Sequence, residues 1–349
     1  MRLEPRAEVP LWLSVTAPVM AVLGALALCA IPLAIAGAPV LEAYGLMLQG
    51  ALGSRFAVTE TLARAAPLIL TGLAAAVAFR AKLWNIGAEG QLYLGAAAAV
   101  VVGSTAWAAS PFVMIPAILL AGAAAGALLL LIPTLLKTRL GVDEVVTTLL
   151  LNFVVLLFVS LLVEGPLQDP MSMGWPQSEP IVEEAALPRL VPRGRVHLGL
   201  VIALVAAALV WLLMARTRWG FEMRAVGANP AAARFAGMST GAVMLRVALV
   251  SGGLAGIAGV GEVAGVRGYL TTDLSPGYGY AGIVVAMLAQ LNPLAVVGAA
   301  LFVATVFVGA DSMSRALGVS SYIAQLIVAT SLLTMLLATL WLRYRVHWR

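Results

Sequence analysis

Cysteine occurs once in this chain, at Cys29, and histidine twice, at His197 and His347. A single thiol builds neither a disulfide framework nor a cysteine-ligated metal site, so Cys29 reads as a small core residue. Neither histidine lies in an apolar run, no H-E-x-x-H pattern exists, and no serine–histidine pair can meet inside a membrane, which argues against hydrolytic chemistry there. Lysine is confined to Lys82 and Lys137. Neither follows the glycine-rich run of a phosphate-binding loop, so the chain does not hold ATP in that manner. Charged residues of both signs together make up only 11%, too few to solvate a globular surface.

What fills the chain instead is hydrocarbon. Of its 349 residues 62% are hydrophobic, and mean hydropathy is +1.01, which a soluble domain of this size does not reach. Apolar windows long enough to cross a bilayer fall near 11 to 36, 60 to 79, 91 to 109, 111 to 136 and 145 to 163. Five more lie near 198 to 215, 242 to 265, 278 to 290, 293 to 311 and 320 to 341. The expectation is an all-α polytopic membrane protein of about ten transmembrane helices, forming one transmembrane domain over 1–349. The eighth window is short unless Ser275 to Tyr280 contribute. The first exceeds a signal-peptide core and reads as a retained helix rather than a cleaved leader.

Lysine and arginine set the orientation, because retained cytoplasmic loops carry their excess. With the N-terminus inside, 14 basic residues fall on the cytoplasmic side and 7 outside. Both termini are therefore expected in the cytoplasm, and the net charge of +5 is a topology signal rather than a nucleic-acid footprint.

Three polar interruptions stand out. Between the second and third windows the chain reads Trp84-Asn85-Ile86-Gly87-Ala88-Glu89-Gly90-Gln91, where amides, a carboxylate and glycines replace lipid-compatible helix. Such groups are costly in hydrocarbon and suggest a path through the protein. The outer loop 164–197 holds five carboxylates and six prolines and is expected to lie over the mouth of that path. In the inner loop 216–240, Asn229 fits a helix N-cap, Pro230 the first helical position, and Ala231 to Ala236 a two-turn helix stopped by Gly237. Its small side chains suit close docking into another protein, although a plain capped connector fits the spacing equally well.

These residues carry a resemblance. Phe79 to Ala96 is similar to the signature of the permease subunits of bacterial ABC importers for nucleosides and simple sugars. Gly141 to Asn152 resembles the family's segment entering the fifth span, Arg224 to Met238 its coupling helix, and Gly277 to Ile283 the start of its eighth span. Together they cover roughly 60 to 345 and look like the larger permease of nucleoside systems. The resemblance implies a single permease domain in the bacterial inner membrane that is not itself an enzyme. It would pair with a second related permease, as a heterodimer or homodimer, with cytoplasmic ABC ATPase subunits and with an extracytoplasmic binding lipoprotein. ATP and magnesium would sit on the ATPase, with no cofactor on this chain. Nucleoside is preferred over free sugar; a branched-chain amino acid permease belongs to the same superfamily.

On this reading the coupling contacts are Gly227, Asn229, Pro230, Ala232, Ala233 and Gly237. The candidate pathway residues are Asn85, Glu89, Gln91, Thr148 and Asn152, which supply the amide, hydroxyl and carboxylate groups a nucleoside requires. Thr148 and Asn152 share a helical face, and Asn152 fits an interhelical hydrogen bond as well as a ligand contact. Asn85, Glu89 and Gln91 fit lining of an inner gate and, rather better, a role in tying the break to neighbouring helices. A second glycine-rich break, 268 to 280, is expected on the opposite membrane face from the first, which suggests an inverted repeat with substrate near the midplane. Glu262 and Asp311, in otherwise apolar spans, are the residues a proton- or ion-coupled transporter would use, or they reach the interface.

Overall fold

The computed structural model describes residues 2–5, 23–24, 26–105, 110–192 and 194–347. Most of the expected first span, 11 to 36, lies outside them. The described helices are α1 (Leu26–Ile35), α2 (Val40–Leu52), α3 (Arg55–Arg80), α4 (Ala88–Gly103), α5 (Pro111–Leu140), α6 (Glu144–Val163), α7 (Leu198–Arg216), α8 (Arg218–Ala228), α9 (Pro230–Phe235), α10 (Thr240–Glu262), α11 (Tyr278–Leu288), α12 (Pro293–Leu317) and α13 (Ser321–Arg343). One departure from the all-α expectation is a two-stranded antiparallel pair, β1 (Arg2–Pro5) with β2 (Tyr344–His347). Their backbone groups pair with each other and bring the two segments side by side.

Among the described residues six helices are long and apolar enough to cross a membrane, or seven when α1 and α2, bent by 115° to each other, count as one span. The expected ten is reached only by admitting shorter apolar helices. Two of these matter for function: α4 has 16 residues and α11 has 11, about 24 and 16 Å at 1.5 Å per residue, against a hydrocarbon core of about 30 Å. Both fall short of that core, and each begins at a polar break.

The chain packs as two compact units, residues 1–61 with 301–349, and residues 62–300. In the first, the Cys29 thiol is buried and donates to Ile327 O, as its core assignment requires. Gly50 packs directly against Ser312.

The second unit is built around α4, whose side chains are buried on nearly every face. It is flanked by α5, α10 and α6. Close approach rather than bulk holds this centre: a Cβ on Gly256 would lie 2.1 Å from Gly122 O, and one on Gly259 1.9 Å from Leu92 O. Helix association in lipid relies on such contacts because burying aliphatic side chains gains little over leaving them in acyl chains. The glycine-rich run of α10 therefore works as a packing surface.

Candidate functional site

The first break opens where α3 ends. Lys82 takes a left-handed conformation, φ 56°, and Leu83 N returns to Ala78 O at 3.0 Å, so the chain leaves the helix axis and crosses to α4. Asn85, fully buried, meets Gln91 in a reciprocal pair: Asn85 Nδ2 donates to Gln91 Oε1 at 2.9 Å, and Gln91 Nε2 donates to Asn85 Oδ1 at 2.8 Å. Asn85 Nδ2 also reaches Ser251 Oγ at 3.0 Å, which donates to Ala74 O at 2.7 Å. Three helices are thus joined through one amide pair, and both side chains have internal partners.

From α6, Thr148 and Asn152 grip the same peptide segment. Ile86 N donates to Thr148 Oγ1 at 3.3 Å, and Asn152 Nδ2 donates to Ile86 O at 2.9 Å. Gly90 N donates to Asn152 Oδ1 at 2.8 Å, and Asn152 Nδ2 also lies 3.2 Å from Tyr280 Oη. At the rim Glu144 accepts from Trp84 N at 3.2 Å and pairs with Lys137, whose Nζ also donates to Lys82 O at 3.0 Å. A buried break must satisfy its own backbone, and these side chains do so.

The second break reaches the first. Its beginning is tied to the outer loop, with Ser178 N donating to Leu270 O at 2.9 Å, and its end reaches the first break. Gly279 N donates to Glu89 Oε2 at 2.6 Å. Tyr93 Oη donates to Thr272 O at 2.8 Å and accepts from Ser275 N at 3.1 Å. A Cβ on Gly279 would stand 2.2 Å from Glu89 N, so only glycine lets the two chains touch. The segment is therefore a run of turns and bends before Tyr278 and helical after it. The inverted repeat expected from the sequence is not confirmed by these contacts, because hydropathy shows where helix stops, not how deep the following chain runs.

Glu89 consequently occupies the meeting point of two helix N-termini, in the first turn of α4 and against the first turn of α11. Each end carries roughly half a positive charge from its free amides, and the carboxylate answers both.

The structure brings all five pathway candidates, Asn85, Glu89, Gln91, Thr148 and Asn152, into one polar cluster, and all five side chains are buried. Tyr93, Ser251, Tyr280, Glu144 and Lys137 join it without having been singled out. Their partners are distant in sequence, and no local spacing marks them. Glu262 is buried at the end of α10 and Asp311 half-buried in α12, both away from this cluster in the chain.

The inner loop folds as two helices. Asn229 caps α9, its Oδ1 accepting from Ala231 N at 3.0 Å and Ala232 N at 3.1 Å, with Pro230 in the first turn. Gly237 follows with φ 81°. Of the coupling candidates, Asn229, Pro230, Ala232 and Gly237 are exposed, whereas Ala233 and Gly227 are buried. Phe235, 96% exposed, ends α9, a large apolar side chain with little protein around it.

Loop 164–197 is anchored by hydrogen bonds donated from Val182 N to Gly103 O and from Leu187 N to Ala264 O, each 2.8 Å. His197 closes it. Its Nδ1 caps α7 by accepting from Gly199 N at 3.1 Å, which places the neutral ring's proton on Nε2. Burial pushes the imidazole pKa down to about 4.

Residues 57–342 match the family described as branched-chain amino acid transport system / permease component. A glucose ABC transporter permease protein of Haloferax volcanii is 39% identical over 99% of this chain and 93% of its own length. A guanosine ABC transporter permease protein of Bacillus subtilis is 35% identical, covering 90% of this chain and 91% of its own. A nucleoside ABC transporter permease protein of Lactococcus lactis is 33% identical over 76% and 75%. No solved structure matches.

Proposed function

The chain belongs to the family of branched-chain amino acid transport system permease components, and from that premise we propose that it forms part of the path for an uncharged, polyhydroxylated solute, a nucleoside, through a bacterial inner membrane. It would work beside a second related permease, with cytoplasmic ABC ATPases binding ATP and magnesium, and would receive solute from an extracytoplasmic binding lipoprotein. The observation that carries the substrate class is Glu89. In transporters with broken helices, half-helix N-termini bind anionic groups of the substrate. Here the ends of α4 and α11 are already answered by an internal carboxylate, so the α-carboxylate of an amino acid finds no positive end there. A neutral nucleoside or sugar needs none.

Free sugar is the second reading, favoured by the name of the relative that is 39% identical. The two separate in proteoliposomes holding the complete complex and its lipoprotein, by ATP-dependent uptake of guanosine, glucose and leucine. Guanosine uptake is expected. Glucose uptake without guanosine selects the second reading, and leucine uptake alone defeats both.

In this scheme ATP closes the ATPase pair, α9 travels with it, and the permeases open outward; hydrolysis reverses the movement. Ala232 is the position to test, because it is exposed on α9 whereas Ala233 is buried. Ala232→Glu is expected to lower ATPase co-purification or uptake at least tenfold with the permease still folded. Unchanged coupled uptake would remove α9 from the ATPase interface.

A further inference from the structure

The cytoplasmic arm and the broken span meet at a single residue. Gly227, in the last turn of α8, is pressed on the end of α3: a Cβ there would lie 2.1 Å from Arg80 O and 3.2 Å from Ala81 Cα. The same Arg80 extends its guanidinium across the unit, Nη2 donating to Leu291 O at 3.1 Å. Leu291 closes the C-terminal turn of α11, its N–H returning to Ala286 O at 2.9 Å. At the other end of α11, 11 residues long, Gly279 N is held by Glu89.

We propose that Arg80 is the positioning residue that carries displacement of the coupling arm into α11, so that movement imposed at α8 and α9 shifts the half-helix against Glu89. The inference rests on the importer reading and adds the internal route of coupling. Three observations converge on it. The contact at Gly227 is backbone on backbone, so α8 cannot move toward α3 without moving the peptide of Arg80. The helix at the far end is short, with a run of turns and bends before it instead of further helix, so it can tilt as one piece. The turn that receives Arg80 is poised, because Gln290 and Leu291 both hold left-handed conformations, φ 51° and 59°, which side chains other than glycine rarely adopt. A turn kept there by surrounding contacts has another conformation to relax into once they shift.

The route is testable by hydrogen exchange on the assembled permease–ATPase complex, with and without ATP in a hydrolysis-deficient ATPase. In the wild type, ATP is expected to change exchange in α8 and α9 and also in α11 and the turn at 289 to 292. In Arg80→Ala the change in α8 and α9 should persist while that in α11 falls at least fivefold, and solute transported per ATP should drop about tenfold with basal ATP hydrolysis intact. Arg80→Lys, which keeps one donor, should restore part of both. If Arg80→Ala does not assemble, Gly227→Ala reports instead: its methyl pushes α8 off the Arg80 carbonyl and should weaken the α11 response several-fold. A wild-type complex whose α11 is silent to ATP, or an Arg80→Ala or Gly227→Ala complex whose α11 responds fully, overturns the proposal. Absence of any ATP effect at α9 would instead count against the importer reading itself.

Discussion

Helices α7 and α3 are both long enough to span a membrane, yet they are opposites. The apolar window of α7 has mean hydropathy 2.8 and is 28% buried, whereas that of α3 has 1.8 and is 89% buried. The rest of the second unit follows the same order. α5 and α6, at 2.5 and 2.6, are 33% and 22% buried, while α10 with its following turn, at 1.8, is 72% buried. A soluble protein would reverse this, since water drives its most apolar residues inward. In a bilayer the surroundings are themselves apolar, so leucine, valine and phenylalanine face outward at no cost, and the interior is left to small residues and paired polar groups. Leu157 and Leu209, 72% and 60% exposed, belong to this shell; Gly259 and the Asn85–Gln91 pair belong to the centre.

The contrast breaks most sharply at a central glycine. Gly259→Leu is expected to abolish the folded protein, judged by loss of a single size-exclusion peak in mild detergent. Its side chain would collide with the Leu92 backbone, so the cost should reach at least the ~3 kcal/mol of severe overpacking. A monodisperse, thermally unaltered variant would show the centre to be looser than its geometry.

A second test uses acid. His197 is neutral in the fold down to about pH 4 but charges near pH 6.5 once unfolded. Its contribution is therefore fully present above pH 6.5 and is lost as pH falls toward 4, by up to ~3 kcal/mol. Thermal unfolding of the wild type should show that loss. His197→Asn, which keeps a capping acceptor, should flatten the profile, and an identical acid slope would place the sensitivity elsewhere.

Third, Asn85→Ala leaves Gln91 buried with its reciprocal partner gone, and should cost ~1–3 kcal/mol. The double replacement of Asn85 and Gln91 by alanine should cost less than the sum of the two singles, because each single strands the other. Strict additivity in chemical unfolding would mean that the two amides act independently. The smallest effect is expected in the shell, where Leu209→Ala should change stability by less than ~0.5 kcal/mol. A larger loss would reveal that α7 faces protein and not lipid in the assembled complex.

Legibility followed the range of the interactions. The capped helix at Asn229 and Pro230 could be read directly, because capping is settled within four residues. The break at 84 to 91 could be read as a break, since amides and a carboxylate interrupt an apolar run. Its meaning could not. Glu89 finds Gly279 and Asn85 finds Ser251 only across the folded unit, and a helix buried on all sides, as α4 is, leaves no periodic pattern to show which face meets which neighbour. The expected ten crossings are not confirmed at α4 and α11 for a related reason: both are shorter than the helices long enough to span, and a hydropathy window does not measure helix length.

By itself the sequence determined the solvent this protein folds in, the family it belongs to and the positions where helix must stop, because composition, motif and capping are local properties of the chain. Only the tertiary structure decided that both stops converge on Glu89, that the greasiest helices are the least buried, and that Arg80 touches both α8 and the end of α11. Those outcomes depend on packing between residues up to some two hundred positions apart, which no stretch of sequence encodes alone.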